Sequence, residues 1–259
     1  MVVGSRDDRR GRRGARVGVA AALGVALVLL LMPGRPVAAA MAENGGGGAP
    51  VVVELFTSQG CASCPPADAL LGDLAARPEV IALGLHVDYW DYIGWADPYG
   101  HPAHTNRQRG YAERLPSRWM YTPQAVVDGR AEVVGSNGAA LRALVREALA
   151  EPNVVQPRFE SGEPVEVVIP AGASPAPATV WVAYFDRRHV DQVPRGENAG
   201  KVLRSYNVVR RLARLGTWTG EEQRFTLDAD TARARGRTGC AVIVQAGGTG
   251  PILGAARMD

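Results

Sequence analysis

Two cysteines three residues apart, Cys61 and Cys64, carry the clearest chemistry in this sequence. They sit in Gln59-Gly60-Cys61-Ala62-Ser63-Cys64-Pro65-Pro66, between an apolar run and the apolar stripe of a helix. A cysteine in the turn that enters a helix meets unpaired backbone N–H groups and the positive end of the helix dipole, and both favour its thiolate. The thiolate is the attacking species in thiol–disulfide exchange. A second cysteine three residues on can reach the mixed disulfide and release the product. This spacing assigns Cys61 as nucleophile, in an exposed turn, and Cys64 as resolving thiol near the helix N-cap. Pro65 and Pro66 suit the first helical turn, where a missing N–H costs little. The competing reading is a fixed bridge. Closing four residues stabilises by about 2 kcal/mol on a chain-entropy argument, against about 5 for a loop above a hundred residues. A purely stabilising bridge would gain more elsewhere.

The elements that must position this pair are legible on both sides of it. Val51–Phe56 is a β-branched and aromatic run that reads as a buried strand. Ala67, Leu70, Leu71 and Leu74 give the following helix one apolar face, closed by Pro78. Val80–Val87 reads as a second, central strand, and a helix is expected from about Thr105 to Leu115. Two β-branched runs around Asp128-Gly129 predict a hairpin. Ser136 or Asn137 caps a last helix carrying Leu141, Leu144, Val145, Ala148 and Leu149. The order is strand, helix, strand, helix, hairpin, helix, with a CxxC at the first strand–helix junction. That is the thioredoxin arrangement, so residues 50–152 are expected to form a thioredoxin-like α/β domain.

Within that arrangement Pro123 is expected to lie against the cysteines, with a cis Thr122–Pro123 bond that presents the Thr122 backbone to an extended substrate. An ordinary trans proline opening a strand is the plainer reading. Trp90 belongs to an aromatic group with Tyr89, Tyr92, Trp95 and Tyr99 that either lines a cleft beside the cysteines or packs under a loop. His86, Asp88, Asp91, Asp97, His101 and His104 crowd the same region. His86 with Cys61 and Cys64 is an alternative copper or zinc set, since thiolate and imidazole suit those metals. Otherwise His86 ends a strand as a satisfied core residue. The leading reading needs no cofactor.

Several stretches also resemble a known family. VVVELFTSQGCASCPPAD, LHVDYWDYIGWADP, YTPQAVVDG and RGENAG with the later NVVR are similar to the secreted bacterial family called domain of unknown function 1223. The resemblance spans roughly residues 50–259. It implies export and a thioredoxin-like fold, and it brings no substrate. Gln59-Gly60 before the motif and Ala62-Ser63 within it depart from the common thioredoxin pattern. Those positions govern thiol pKa and potential, so the direction of exchange stays open.

Composition bounds the rest. The chain has 259 residues, 29 Lys+Arg, 26 Asp+Glu and a formal charge of +3. Its basic surplus lies in residues 1–40, where six arginines precede the uncharged run Val17–Met32 and Ala38-Ala39-Ala40 offers a cleavage site. That order is a secretory signal. An uncleaved membrane anchor is the competing reading. Beyond residue 40 there are 22 basic and 24 acidic residues, which leaves no electrostatic case for nucleic acid. The reading is a secreted or periplasmic protein with no stable membrane anchor after cleavage, a Gly-rich linker at 41–49, and a protein or small-molecule disulfide or thiol as partner. Residues 153–259 break into short strands, among them Val165–Ile169, Thr179–Phe185, Glu222–Leu227 and Cys240–Gln245, while Val202–Leu212 is ambiguous between strand and helix and is read mainly as strand. They are expected to form a smaller β-rich, sandwich-like domain. Cys240 opens an apolar run and reads as a buried free thiol, with a resolving role as the alternative. Arginines between 187 and 214 make that half locally basic, a solvated face or a contact for an acidic partner or glycan.

Overall fold

Strand β1 (Val51–Thr57) is buried along its whole length, as its mainly apolar character, broken by Glu54, suits a strand covered on both faces. The protein is described by a computed structural model over residues 50–174, 176–227 and 239–258. The expected leader, 1–40, and linker, 41–49, lie outside the described residues. Among those described, no helix is long and apolar enough to cross a membrane.

β1 pairs in parallel with β2 (Val80–His86) and antiparallel with β3 (Gln124–Val127), which turns into β4 (Ala131–Val134). Asp128 (φ 47°) and Gly129 (φ 62°) make the tight turn that the Asp-Gly pair predicts. Helix α1 (Pro65–Ala75) joins β1 to β2, and α3 (Gly138–Ala150) follows β4. Both pack on one sheet face, where Leu71, Leu74, Leu141 and Val145 meet Val51, Val53 and Leu55. Asn137 caps α3 by accepting the Ala140 N–H. Helix α2 (Pro102–Ala112) begins a few residues earlier than the expected span, because His101 caps it and Pro102 fits its first turn. Its Tyr111 packs on the opposite face, against Phe56.

Strands from both sides of residue 152 join the same sheet. Its order is β11-β10-β7-β8-β2-β1-β3-β4, with β7 (Ala178–Gln192), β8 (Val202–Trp218), β10 (Gly239–Ala246) and β11 (Ile252–Met258). The expected β-rich half therefore shares its main layer with the first half. The reason lies in β8, which pairs antiparallel with β7 along its length and touches β2 at the single parallel partner pair Gly84–Val208. Only glycine allows that approach. A Cβ on Gly84 would lie 2.9 Å from the Tyr206 carbonyl oxygen.

β5 (Arg158–Glu160), β6 (Glu166–Ile169) and β9 (Gln223–Thr226) form a separate three-stranded sheet. Val167 and Ile169 of that sheet share a core with Val180, Val182, Trp218, Val242 and Val244, so it stacks on the larger one. The far edge of the large sheet curls back: the Ile252 N–H donates to the Asp128 carbonyl at 2.8 Å, and Asp128 Oδ1 accepts the Val52 N–H at 2.7 Å. Inside the curl, Arg107 of α2 reaches Glu54 (Nε–Oε1 2.5 Å, Nη2–Oε2 2.8 Å) and Gln245 (2.9 Å), with Tyr111 completing the network. The molecule is thus a mixed α/β fold with a large central sheet and few helices.

Candidate functional site

The CxxC turn leaves the C-terminal end of β1. The Ser58 hydroxyl accepts the Gly60 N–H at 3.0 Å, the Cys61 N–H donates to the Ser58 carbonyl at 3.1 Å, and the Cys64 N–H donates to the Cys61 carbonyl at 3.2 Å. Cys64 is the N-cap of α1, and Pro65 and Pro66 follow in the first turn. Cys61 and Cys64 are joined as a disulfide with their Cα atoms 5.4 Å apart, within the ordinary range for such a bridge. One expectation is overturned. Cys61 is only 1% exposed and Cys64 is fully buried, while Ala62 and Ser63 between them face solvent.

The cover comes from the other half of the chain. The loop between β7 and β8 lies on the turn, and Asn198, fully buried, donates from Nδ2 to the Gln59 carbonyl (2.9 Å) and the Cys61 carbonyl (3.0 Å). Lys201 Nζ donates to Asn198 Oδ1 at 2.9 Å. The Ala62 N–H donates to Glu197 Oε2 at 3.2 Å. Gln59 is held as well: its Nε2 donates to Asp191 at 3.0 Å and its Oε1 accepts the Trp95 indole N–H at 3.0 Å.

Behind the turn lies a buried charge cluster. Thr57 and His86 are partners across β1 and β2, so their side chains share the α1 face. His86 Nδ1 is 2.7 Å from Asp97 Oδ2, which also accepts the Gln59 N–H at 2.7 Å. Burial works against a charge on His86, but the Asp97 carboxylate outweighs it and raises the imidazole pKa. Burial likewise opposes the Asp97 charge, and His86 with two backbone N–H groups turns the balance to a lowered value. Asp68, one helical turn beyond Cys64, is the third member. Burial pushes its carboxyl up to about 7, against the easing influence of His86 and Thr57. The Thr57 hydroxyl has no partner of full hydrogen-bond geometry, yet it faces that carboxyl and favours its charged form.

The remaining candidates divide. Trp90 reaches the site: its indole N–H donates to Thr122 Oγ1 at 2.7 Å, and a Cβ on Gly60 would lie 3.1 Å from the Trp90 Cβ. The Thr122–Pro123 bond is cis. Gln124 opposes Phe56, so buried Pro123 sits beside the end of β1 from which the turn departs. Tyr99 stacks edge-on against His86 and donates to Asp191 at 2.9 Å, whereas Tyr92 is 82% exposed. The alternative metal set does not assemble: His86 Nδ1 faces Asp97, and among the described residues no three His, Cys, Asp or Glu side chains are grouped to hold a metal. His104 is a structural residue, donating from Nδ1 to the His86 carbonyl at 2.8 Å, with burial lowering its pKa to about 4. Cys240 is buried in the core between the two sheets.

Residues 52–245 match the family described as protein of unknown function (DUF1223). The chain belongs to this family. A crystal structure of the protein AGR_C_4864 from Agrobacterium tumefaciens is similar, with 34% identity, a TM-score of 0.71, and coverage of 83% of this chain and 96% of that one. HBP35 of Porphyromonas gingivalis shares the fold at 11% identity and a TM-score of 0.56, covering 83% of this chain and 76% of that one. No curated protein matches the chain.

Membership of DUF1223 directs attention to residues that chemical type alone passes over. Arg195-Gly196-Glu197-Asn198-Ala199-Gly200 is one of the stretches on which the resemblance rests, and it is the segment that covers the CxxC. Asp68 also escapes notice in the sequence. Asp68 stood within reach of inference, since a carboxylate four residues after Cys64 falls on the face of α1 that packs on the sheet.

Proposed function

We propose that this protein is an extracytoplasmic thiol–disulfide oxidoreductase in which a thioredoxin-like part, residues 50–152, carries the chemistry and the β-rich part, 153–259, contributes the cover of its site. The observation that carries this reading is the Cys61–Cys64 bridge seated at the first turn of α1, with Asp68 buried behind it. In the reducing direction, the Cys61 thiolate attacks one sulfur of a substrate disulfide. The substrate S–S bond breaks, one substrate thiolate leaves and takes up a proton, and Cys61 holds the mixed disulfide. Cys64 loses its proton and attacks the Cys61 sulfur, which reforms the bridge and releases the second substrate thiol. Two electrons and two protons pass from the protein dithiol to the substrate. In the oxidising direction a substrate dithiol runs the same steps backwards. Thr122, Pro123 and Trp90 would contact the substrate, a protein or small-molecule disulfide or thiol. The basic and apolar leader in residues 1–40 supports export to an oxidising compartment.

The burial of both cysteines favours one second reading, a fixed bridge in a secreted binding protein. Equilibration with a glutathione couple, together with trapping by Cys64→Ser, separates the two. Exchange predicts a measurable potential and a covalent adduct on Cys61. A potential below about −300 mV with no adduct marks a stable structural disulfide and refutes the oxidoreductase.

A further inference from the structure

We infer that Glu197 and Asn198, at the tip of the β7–β8 hairpin, are positioning residues that set the reactivity of Cys61. The inference rests on the exchange reading above. A thiolate on Cys61 is favoured by backbone N–H groups of the turn and by the positive dipole end of α1. One of those groups, the Ala62 N–H, is already committed to the Glu197 carboxylate at 3.2 Å. Glu197 therefore occupies a donor next to the nucleophile and places a like charge beside it, which disfavours a second anion. Asn198 acts on geometry. Its single amide nitrogen ties the Gln59 and Cys61 carbonyls together, and Lys201 fixes its oxygen. That clamp holds the tip down on a sulfur that is otherwise one residue from open solvent.

The other charged groups around the turn each have a place, with Lys201 held on Asn198 Oδ1 at 2.9 Å. Asp97 pairs with His86, Asp191 accepts from Gln59 and Tyr99, and Asp68 lies behind Cys64 on α1. Glu197 is the carboxylate bonded to the CxxC backbone itself. It is exposed, so its influence is screened by salt and amounts to a fraction of what a buried charge would exert.

The test compares wild-type protein with Glu197→Gln and Asn198→Ala. Glutamine keeps an acceptor for the Ala62 N–H and removes the charge. The Cys61 pKa, read from thiolate absorbance of the reduced protein, should fall by about half a pH unit. Attack on 5,5′-dithiobis(2-nitrobenzoate) at pH 6 should quicken about two-fold, since a lower pKa raises the thiolate fraction more than it reduces nucleophilicity. The difference should shrink in 1 M salt. In Asn198→Ala, reduction of the bridge by dithiothreitol should quicken several-fold, because the turn is uncovered. Should Asn198→Ala not fold, exposed Glu197→Gln still decides the electrostatic part. Exchange by the wild type with an unchanged Cys61 pKa and rate in Glu197→Gln overturns the inference and leaves the oxidoreductase standing. No exchange with dithiothreitol or the aromatic disulfide by any form overturns both.

Discussion

Replacing Asp68 by asparagine should change how stability depends on pH more than it changes the structure. The folded protein holds this carboxyl at about 7 against an ordinary value of 3.8, so between those two values the folded state binds a proton that the unfolded chain releases. Stability contributed by Asp68 is therefore full below about pH 4, falls as the pH climbs towards 7, and is flat above it. At about 1.4 kcal/mol for each tenfold change, the span corresponds to a penalty of about 4 kcal/mol at pH 8. One neighbour titrates outside this window and the other overlaps its upper end. Asp97, with its lowered pKa, loses its contribution only as the pH falls below 3.8, and His86, with its raised pKa, loses its own only as the pH rises above 6.5. Asp128 is also raised by burial, to about 6, and adds a fall of the same sign, which cancels when wild type and variant are compared. Denaturant unfolding of both proteins at pH 4.5, 6, 7 and 8.5, with the bridge intact, reads the difference. Asp68→Asn should gain on the wild type from pH 4.5 to about 7 and then level off, by about 3 kcal/mol over the range. A difference independent of pH would show that the carboxyl is already charged in the folded protein, and the burial argument would fail.

Four further outcomes follow from particular contacts. Asp97→Asn leaves His86 without its counter-charge and the Gln59 N–H with a weaker acceptor; it should cost about 3–5 kcal/mol, and the His86 titration followed by NMR should drop below 6.5. Glu54→Gln strands the buried Arg107 guanidinium and should cost about as much, measured by denaturation, with bridge reduction by dithiothreitol unchanged because Glu54 faces away from α1. Native protein should resist alkylation at Cys240, and Cys240→Ala should cost about 1 kcal/mol without altering exchange, since this cysteine lies in the core between the sheets. Gly84→Ala should cost about 1–3 kcal/mol, because the new methyl would meet the Tyr206 carbonyl at 2.9 Å; hydrogen exchange should show β8 losing protection before β1.

Much of the first half was legible because its signals are local. The apolar runs of β1 and β2, the Asp-Gly turn, the Asn137 cap and the Pro65-Pro66 helix start each depend on a few adjacent residues, and each is found where the sequence places it. Val202–Leu212 is ambiguous between strand and helix on its own, and it resolves as strand because β7 pairs with it over nearly its whole length. β5 and β11 escaped the reading for opposite reasons. β5 is three residues long, and β11 contains Gly254, Ala255 and Ala256, small residues with no strand preference. Gly254 is required there by a close approach, since a Cβ would collide with the Val155 carbonyl. That the cysteines, Trp90, Thr122 and Pro123 lie near one another was legible, and what covers them was not. Asn198 lies 137 positions from Cys61 in the chain, and an Asn in a Gly-flanked loop carries no signal for a partner so distant.

That distant cover has a topological cause. β7 and β8 are 15 and 17 residues long, far beyond what their pairing with β10 and β2 uses. Among the described residues, Gly239–Ala246 supports β7 up to Phe185, and Gly84 supports β8 at Val208. Past those points, among the described residues, the hairpin continues as a two-stranded ribbon, Arg188–Gln192 against Val202–Tyr206. A ribbon of that length is marginal alone in water, so it must lie on something. Leu203 and Ser205 are buried on the face that also presents Asp191, and that face meets Gln59 and the CxxC turn. Its other face carries Val190, Val202 and Arg204 out into solvent. The ribbon and its tip reach the end of β1 where the CxxC begins, through Asp191 on Gln59 and Asn198 on the Gln59 and Cys61 carbonyls. The hairpin that closes the sheet is thereby the element that closes the site, and the hold of Asn198 on the turn joins the stability of the ribbon to the accessibility of Cys61.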